Sequence, residues 1–567
     1  MSSEVKKKKR HLKKWVKIIL LLIIILIISA AGISIINPKI LKKSPIIIKP
    51  KTYYLASSNP ILYLYKYDEE TKKIERVKEI ARGLEITTTN SFTKIDEKDY
   101  LKIKIDNKNY YVLKENIVTN KKDIVQEKEK FVRTSVTVYK NTEDPDITSF
   151  IKKGNKLEII DYDEINEDGI VNMYNIKKDD INGWVYSKYL TNTEEEAKAN
   201  YNENGTYDIH KDRKYSIELY GGSPKTLDYY PYEKPDFKEN PIVKEAKAMY
   251  LNAGVIKDMD TYVNLAKDNG VNAIVLDVKD GALAYPVEIA KTYSKTSYDT
   301  AMNSFDDYKE AVTKIKEAGI YTIGRIVVFN DQKYGSDHPE DCIKSPSSNR
   351  NWPSGFARGV WEYNVKLALQ SIDDMGFNEI QFDYVRFPEE SYRMSVNNNS
   401  DFKNKYNEEK AEAIQNFLFY ATDQIHKKNV YLSVDVFGES SSDYVASYGQ
   451  YWPAISNIVD AISSMPYTDH FGRTRDTWSN PYSTVYYWAK EAATRQKEIP
   501  TPAIPRTWIT AYDTPFWNPT VIYNADKIIA QAKALKDAGL NGGFITWNSS
   551  SSLAKYNQIK SAFAYNY

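Results

Sequence analysis

Three short apolar runs in this 567-residue chain carry an aspartate late in the run: Ile274-Val-Leu-Asp-Val-Lys-Asp280, Ile380-Gln-Phe-Asp-Tyr-Val-Arg-Phe387 and Leu432-Ser-Val-Asp-Val-Phe-Gly438. Each has the length and apolar content of a β-strand. Period two puts Ile274, Leu276 and Val278 on one face, likewise Ile380 and Phe382, and Leu432, Val434 and Val436. Asp277, Asp383 and Asp435 then share the opposite face. Carboxylates gathered in a poorly solvated place raise one another's pKa, so such a group holds a proton beside an ionised neighbour. That is equipment for cleaving a glycosidic bond: one group protonates the leaving oxygen while the other acts as nucleophile or base. Arg325 and Arg386 are the expected counter-ions. An ion network that merely closes the top of a barrel is the competing use of the same residues.

Other polar and aromatic residues fall at the same run ends: Lys279 and Asp280, Tyr384, Glu439, Tyr467 and Asp469, Asp513, and Trp547 with Asn548. Eight of the ten tryptophans lie beyond Asn351, where they serve either as stacking platforms for sugar rings or as core. The 46 tyrosines are spread over the whole chain, which points to no particular ligand.

The elements that would position these residues alternate regularly. Eight strands are expected at 248–254, 273–280, 321–329, 379–387, 431–438, 461–467, 506–512 and 542–547. Amphipathic helical stretches intervene at 258–269, 305–318, 361–375, 405–427 and 524–538. Gly270, Gly319, Gly376 and Gly539 each follow a helical run, as C-terminal caps do. The expected fold class is α/β, a (β/α)₈ TIM barrel over 247–567 with its site at the C-terminal strand ends. A doubly wound sheet is disfavoured because no G-x-G-x-x-G follows the first strand.

Upstream the rhythm is all-β. Runs at 61–65, 101–105 and 110–113 are followed by a second set at 134–139, 151–160, 171–176 and 183–190. Residues 192–246 read as a linker or wrapping arm. Residues 18–36 carry no charge and are long enough, at about 1.5 Å per residue, to cross a membrane as a helix. The basic tail 1–17 before them stays in the cytoplasm by the positive-inside rule, which puts the rest of the chain outside. A long cleaved signal peptide is the alternative.

Composition removes other classes. Residues 1–17 carry eight Lys/Arg against the one Glu4, leaving the remainder net negative although the chain totals +2, so no nucleic-acid partner is expected. The single Cys342 excludes a disulfide framework, and His11, His210, His338, His426 and His470 show no ligand spacing. No metal and no cofactor are expected.

Two resemblances sharpen this. The segment Gly183-Trp-Val-Tyr-Ser-Lys-Tyr-Leu190, with Lys153-Gly154 before a hydrophobic run, resembles the closing strand and turn of bacterial Src-homology-3 (SH3) domains over 131–191. The region 52–125 resembles them less, having Tyr111-Val-Leu-Lys-Glu-Asn-Ile117 where the Gly-Trp pair would be. The resemblance implies cell-wall polymer as a partner, unless the modules are spacers. The string Glu379-Ile-Gln-Phe-Asp-Tyr-Val-Arg-Phe-Pro388, with Asp435-Val-Phe-Gly438, Met465-Pro-Tyr467 and Thr546-Trp-Asn548, resembles a glycoside hydrolase barrel family of bacterial envelope proteins. It implies a TIM-barrel glycosidase acting on a polysaccharide. By analogy with fourth-strand carboxylates of retaining barrel glycosidases, Asp383 is the nucleophile or charge stabiliser. Asp435 is the acid/base, with Glu439 in reserve, and Asp277 and Arg386 tune the pair. Asp280, Arg325, Arg386, Tyr384, Tyr467, Asp469, Trp547 and Asn548 are the expected substrate contacts. The rival is a non-catalytic polysaccharide-binding or envelope scaffold.

Overall fold

The computed structural model describes residues 49–201, 221–396, 399–472, 474–514 and 518–566. The chain divides into two compact units, Met1–Gln126 with Glu167–Ile170, and Glu127–Asn166 with Val171–Tyr567. The apolar run 18–36, expected to span a membrane, lies outside the described residues. Among those described, no helix is long and apolar enough to cross one.

The first unit is antiparallel β. Five strands pair in the order Ile74–Ala81, Ile61–Tyr67, Lys108–Leu113, Lys98–Ile105, Phe92–Ile95, and Lys51–Leu55 joins Glu85–Thr88 and Ile117–Val118 in a second sheet. Alternation sets the faces. Leu62 and Leu64 enter a core with Leu55, Leu101, Ile103 and Val112, while Tyr63 between them stays exposed.

The second unit begins with a seven-stranded sheet, in the order Ile147–Ile151, Val136–Tyr139, Ile181–Tyr186, Met173–Lys178, Lys156–Tyr162, Glu129–Val132, Leu190–Thr191. The expected strand at 151–160 is two strands, because Gly154 turns the chain with φ +83°, a conformation only glycine adopts without strain. The run 183–190 ends as a strand at Tyr186 and passes through a 3-10 turn, Ser187–Tyr189.

The rest of the second unit is mixed α/β, built on a nearly closed, barrel-like sheet of nine parallel strands. Their order is Ile504–Pro505, Ala461–Met465, Tyr431–Phe437, Glu379–Asp383, Tyr321–Val327, Ala273–Asp280, Ala246–Leu251, Gly543–Trp547, Thr507–Thr510. Leaving Ile504–Pro505 aside and counting along the chain from Ala246–Leu251, these are the sixth, fifth, fourth, third, second, first, eighth and seventh strands. The sheet thus has nine strands where eight are expected. The two ends of the path flank Arg506, whose N–H donates to Ile462 O at 2.9 Å. Pro505 has no N–H to donate, so the chain pairs with the sixth strand up to Pro505 and with the eighth only from Thr507.

The fourth strand is also shorter than expected, ending at Asp383, because Tyr384 takes a left-handed φ of +54° and turns the chain away. Helices Met259–Asp268, Phe305–Glu317, Arg358–Met375, Lys410–His426, Pro481–Lys497 and Ala525–Asp537 lie between successive strands. Gly270, Gly319, Gly376 and Gly539 have positive φ near helix ends, as cap glycines require. Period two holds for packing: Phe382 stacks on Phe417 of helix Lys410–His426 at 5.7 Å, while Ala248, Tyr250, Val275, Ile323, Trp508 and Ile545 form one core cluster.

Helix Lys410–His426 is buried on almost every side, because the seven-stranded sheet covers its outer face. Tyr139 stacks on Tyr420 at 6.0 Å, Tyr189 meets Phe419 at 5.1 Å, and the Tyr189 hydroxyl donates to Asp423 Oδ2 at 2.8 Å. The segment after Gly221 runs along the outside of the sheet. The Lys234 Nζ donates to Asn457 O and Val459 O, and Phe237 N–H donates to the Tyr431 hydroxyl.

Candidate active site

The second, third, fourth and fifth strands are neighbours, so side chains at matching heights converge. Register pairs Asp277 with Arg325 and Val327 with Asp383. The Arg325 guanidinium reaches both acids: Nη1 donates to Asp277 Oδ1 at 2.6 Å, Nη2 to Asp383 Oδ2 at 2.6 Å, and Nε to the same Asp383 oxygen at 3.2 Å. Nη1 also donates to Asp280 Oδ2 at 3.1 Å. Asp435 approaches from the fifth strand, its Oδ2 lying 3.9 Å from Arg325 Nε. Four carboxylates therefore surround one cation.

Their environments differ. Asp277 accepts from the Tyr250 hydroxyl at 2.5 Å and Asp435 from Trp508 Nε1 at 2.7 Å, while Asp383 Oδ1 accepts from the N–H of Tyr384 at 2.6 Å. Asp435 Oδ2 is buried and has no hydrogen-bond partner. Burial, with the Asp383 charge adding to it, pushes the Asp435 pKa well up against the partial relief from Arg325. Burial also raises Asp277, to about 6, although Arg325 pulls it back. Desolvation works against the Arg325 charge, but Asp277 and Asp383 outweigh it and hold that guanidinium above the ordinary arginine value. Both shifts favour the protonated form of an acid inside this excess of carboxylates.

Access is graded. The side chains of Asp277 and Asp383 are 6% exposed, that of Asp435 is sealed at 0%, and that of Asp280 is 45% exposed. Asp280 begins a short hairpin, pairing with Ala282. It is the carboxylate of this group nearest the solvent.

The aromatic partners are Tyr250, Trp547, Tyr467 and Trp508. Trp547 lies 4.6 Å from Tyr250, 5.5 Å from Trp508 and 6.3 Å from Tyr467 between ring centres, and the Arg325 guanidinium sits 5.6 Å from both the Tyr250 and Trp547 rings. Trp547 is half-buried and faces the carboxylates, whereas Trp361, Trp452, Trp478 and Trp508 are fully buried. Most of the tryptophans beyond Asn351 are therefore core.

Several expected residues stand elsewhere. Arg386, expected to tune the aspartates, makes no hydrogen bond to them. It donates to Glu389 Oε1 at 3.1 Å and to Phe387 O, packed against Trp352, Tyr384 and Phe437. The turn at Tyr384 separates it from Asp383. Glu439 is the exposed residue of the otherwise mostly buried turn Gly438–Ser441, accepting from the Tyr444 and Tyr448 hydroxyls. Asp469 accepts from Tyr512, and Asn548 donates to Ser552 O in the following loop. Lys279, which strict alternation would point inward with Asp277, turns outward to Asp331 and Asn364, because Val278 is an extra residue against the third strand.

Tyr250 and Trp508 went unnoticed in the sequence. Tyr250 shares its face with Ala246 and Ala248 of the first strand, and Trp508 reaches Asp435 from the seventh strand. Period two applied to those strands would have found both. Among the described residues, no three His, Cys, Asp or Glu side chains are grouped so as to hold a metal ion.

Solved structures similar to this chain include the following three. A hypothetical protein from Ruminiclostridium thermocellum ATCC 27405 is 30% identical, covering 33% of this chain and 97% of its own, with a TM-score of 0.28. The PgaB (BpsB) glycoside hydrolase domain from Bordetella bronchiseptica is 12% identical over 57% of this chain and 100% of its own, at 0.43. The spore cortex-lytic enzyme SleL of Bacillus megaterium QM B1551 is 13% identical over 57% and 75%, at 0.36. No curated protein matches the sequence. The sequence model of the family described as "Putative glycosyl hydrolase domain" matches residues 248–553, more than half of the chain and all four aspartates on Arg325, and the protein belongs to that family.

Proposed function

We propose that this protein is a membrane-anchored, outward-facing glycoside hydrolase that cleaves a cell-envelope or extracellular polysaccharide by a two-carboxylate mechanism without metal or organic cofactor. The sheet is read as a (β/α)₈ barrel with its seventh strand interrupted at Arg506. The observation that carries the reading is the convergence of Asp277, Asp383 and Asp435 from three strands on the single guanidinium of Arg325. Asp383, in hydrogen-bond contact with N–H donors only, is the nucleophile or charge stabiliser. Asp435, whose burial favours the protonated form, is the acid/base, and Asp277 supports it. Trp547 and Tyr467 bound the sugar on the far side.

Src-homology-3 character is proposed for the two β regions. In the second, the aromatic face with Tyr139 and Tyr189 is occupied by helix Lys410–His426. Contact with wall polymer falls to the first, where Tyr63 is exposed beneath Arg76, 4.5 Å from its ring.

The scaffold reading is favoured by one observation, the complete burial of the Asp435 side chain. The full-length protein incubated with a panel of purified wall polymers and exopolysaccharides separates the two. The enzyme releases reducing ends, whose initial anomer gives the stereochemistry, whereas a scaffold binds without release. Protease treatment of intact cells, which removes an outward-facing domain only, tests the orientation.

A further inference from the structure

A cavity of about 570 Å³ opens between the loops that follow the third and fourth strands. Its size falls within the range of small-ligand sites, about 300–1,000 Å³. Its lining includes the amides of Asn330 and Gln332, the guanidiniums of Arg350 and Arg386, and the carboxylates of Glu389 and Glu390. The two cations and two anions balance, so the cavity has no net charge with which to recruit an ionic ligand. What it offers is donors and acceptors side by side, and a hydroxyl group uses both.

One wall is aromatic. Tyr384 and Trp352 also line the cavity, with ring centres 6.3 Å apart; Trp352 is buried behind, and the half-buried Tyr384 ring is the apolar surface for the C–H face of a sugar ring. Arg386 is fixed in that wall, 3% exposed, its guanidinium 4.7 Å from the Tyr384 ring and 5.5 Å from that of Trp352. Fixed polar groups lose little freedom when they bind.

Tyr384 also joins the cavity to the carboxylates. Its backbone N–H donates to Asp383 Oδ1 at 2.6 Å while its ring faces the cavity, and the left-handed turn with φ +54° makes both possible. A bulky residue rarely adopts that conformation, and such turns gather at functional sites.

We propose that this cavity is a subsite for neutral hexopyranose units of the polymer, held against Asp383 through Tyr384. The proposal rests on the glycosidase reading and names its substrate class. The test uses full-length protein carrying Asp383→Asn, to stop turnover, titrated by calorimetry with cellotetraose, maltotetraose, N-acetylchitotetraose and tetragalacturonate. The titrations are repeated with Arg350→Ala and Gln332→Ala added, two exposed residues outside the carboxylate cluster. At least one neutral tetraose binds, tetragalacturonate binds at least tenfold more weakly, and the added pair weakens the neutral sugar at least tenfold with no change in melting temperature. Preference for tetragalacturonate, unchanged affinity in the added pair, or no binding at all overturns the subsite. Hydrolysis of polymer by the unmutated protein then decides whether the glycosidase reading falls with it.

Discussion

The interior of the sheet holds two arginine–carboxylate sites of opposite design. At the N-terminal end, Arg506 Nη1 donates to Glu379 Oε1 at 2.7 Å, both side chains are 0% exposed, and the Tyr321 hydroxyl donates to Glu379 Oε2. One cation meets one anion and the site is sealed. At the C-terminal end, one cation meets four carboxylates, one of them open to solvent. A balanced buried pair fixes a structure and has no proton to give, whereas an unbalanced cluster holds a proton that it can exchange. Charge balance, more than burial, separates the floor from the candidate site.

The contrast breaks most visibly in turnover. Asp383→Asn lowers the rate of polysaccharide hydrolysis about a thousandfold, the scale of a lost catalytic carboxylate, with the unfolding temperature nearly unchanged. Breaking the floor does the reverse. Glu379→Gln leaves the buried Arg506 charge unpaired and costs about 3–5 kcal/mol, read by denaturant unfolding, while activity per folded molecule is kept. Replacing Glu379 and Arg506 together by Met recovers most of that loss.

The pH dependence of stability sharpens the comparison. Burial raises the Asp277 pKa to about 6, so the folded protein binds this proton more tightly than the unfolded chain does. The stabilisation is complete at low pH and is lost as pH rises from about 4 to about 6, a change of about 3 kcal/mol. Unfolding curves at successive pH values should show the decline, and Asp277→Asn should flatten it. The smallest effect is expected of Trp508→Phe, which removes the donor to Asp435. It costs about 1–3 kcal/mol and raises the Asp435 pKa further, moving the alkaline limb of the pH–rate profile to higher pH.

The sites differed in how legible they were in the sequence. Asp277, Asp383 and Asp435 could be aligned because period two acts locally along each strand. Arg325 as their shared partner needed only the order of neighbouring strands, which the alternation of strand and helix implies. The misplacements came from departures from regular geometry: Val278 bulges and re-aims Lys279, Tyr384 turns the chain and carries Arg386 away, and Pro505 divides a strand. The floor pair joins the fourth and seventh strands across the interior. Glu379 and Arg506 are far apart in sequence, and nothing local marks them as partners. The all-round burial of helix Lys410–His426 depended likewise on a sheet contributed from well upstream.

Turnover and unfolding measured together for the unmutated protein, Asp383→Asn and Glu379→Gln, on a polysaccharide that the unmutated protein degrades, distinguish the two arginine sites. Asp383→Asn should be folded and inactive, and Glu379→Gln less stable but as active per folded molecule. Full activity in Asp383→Asn would contradict the account.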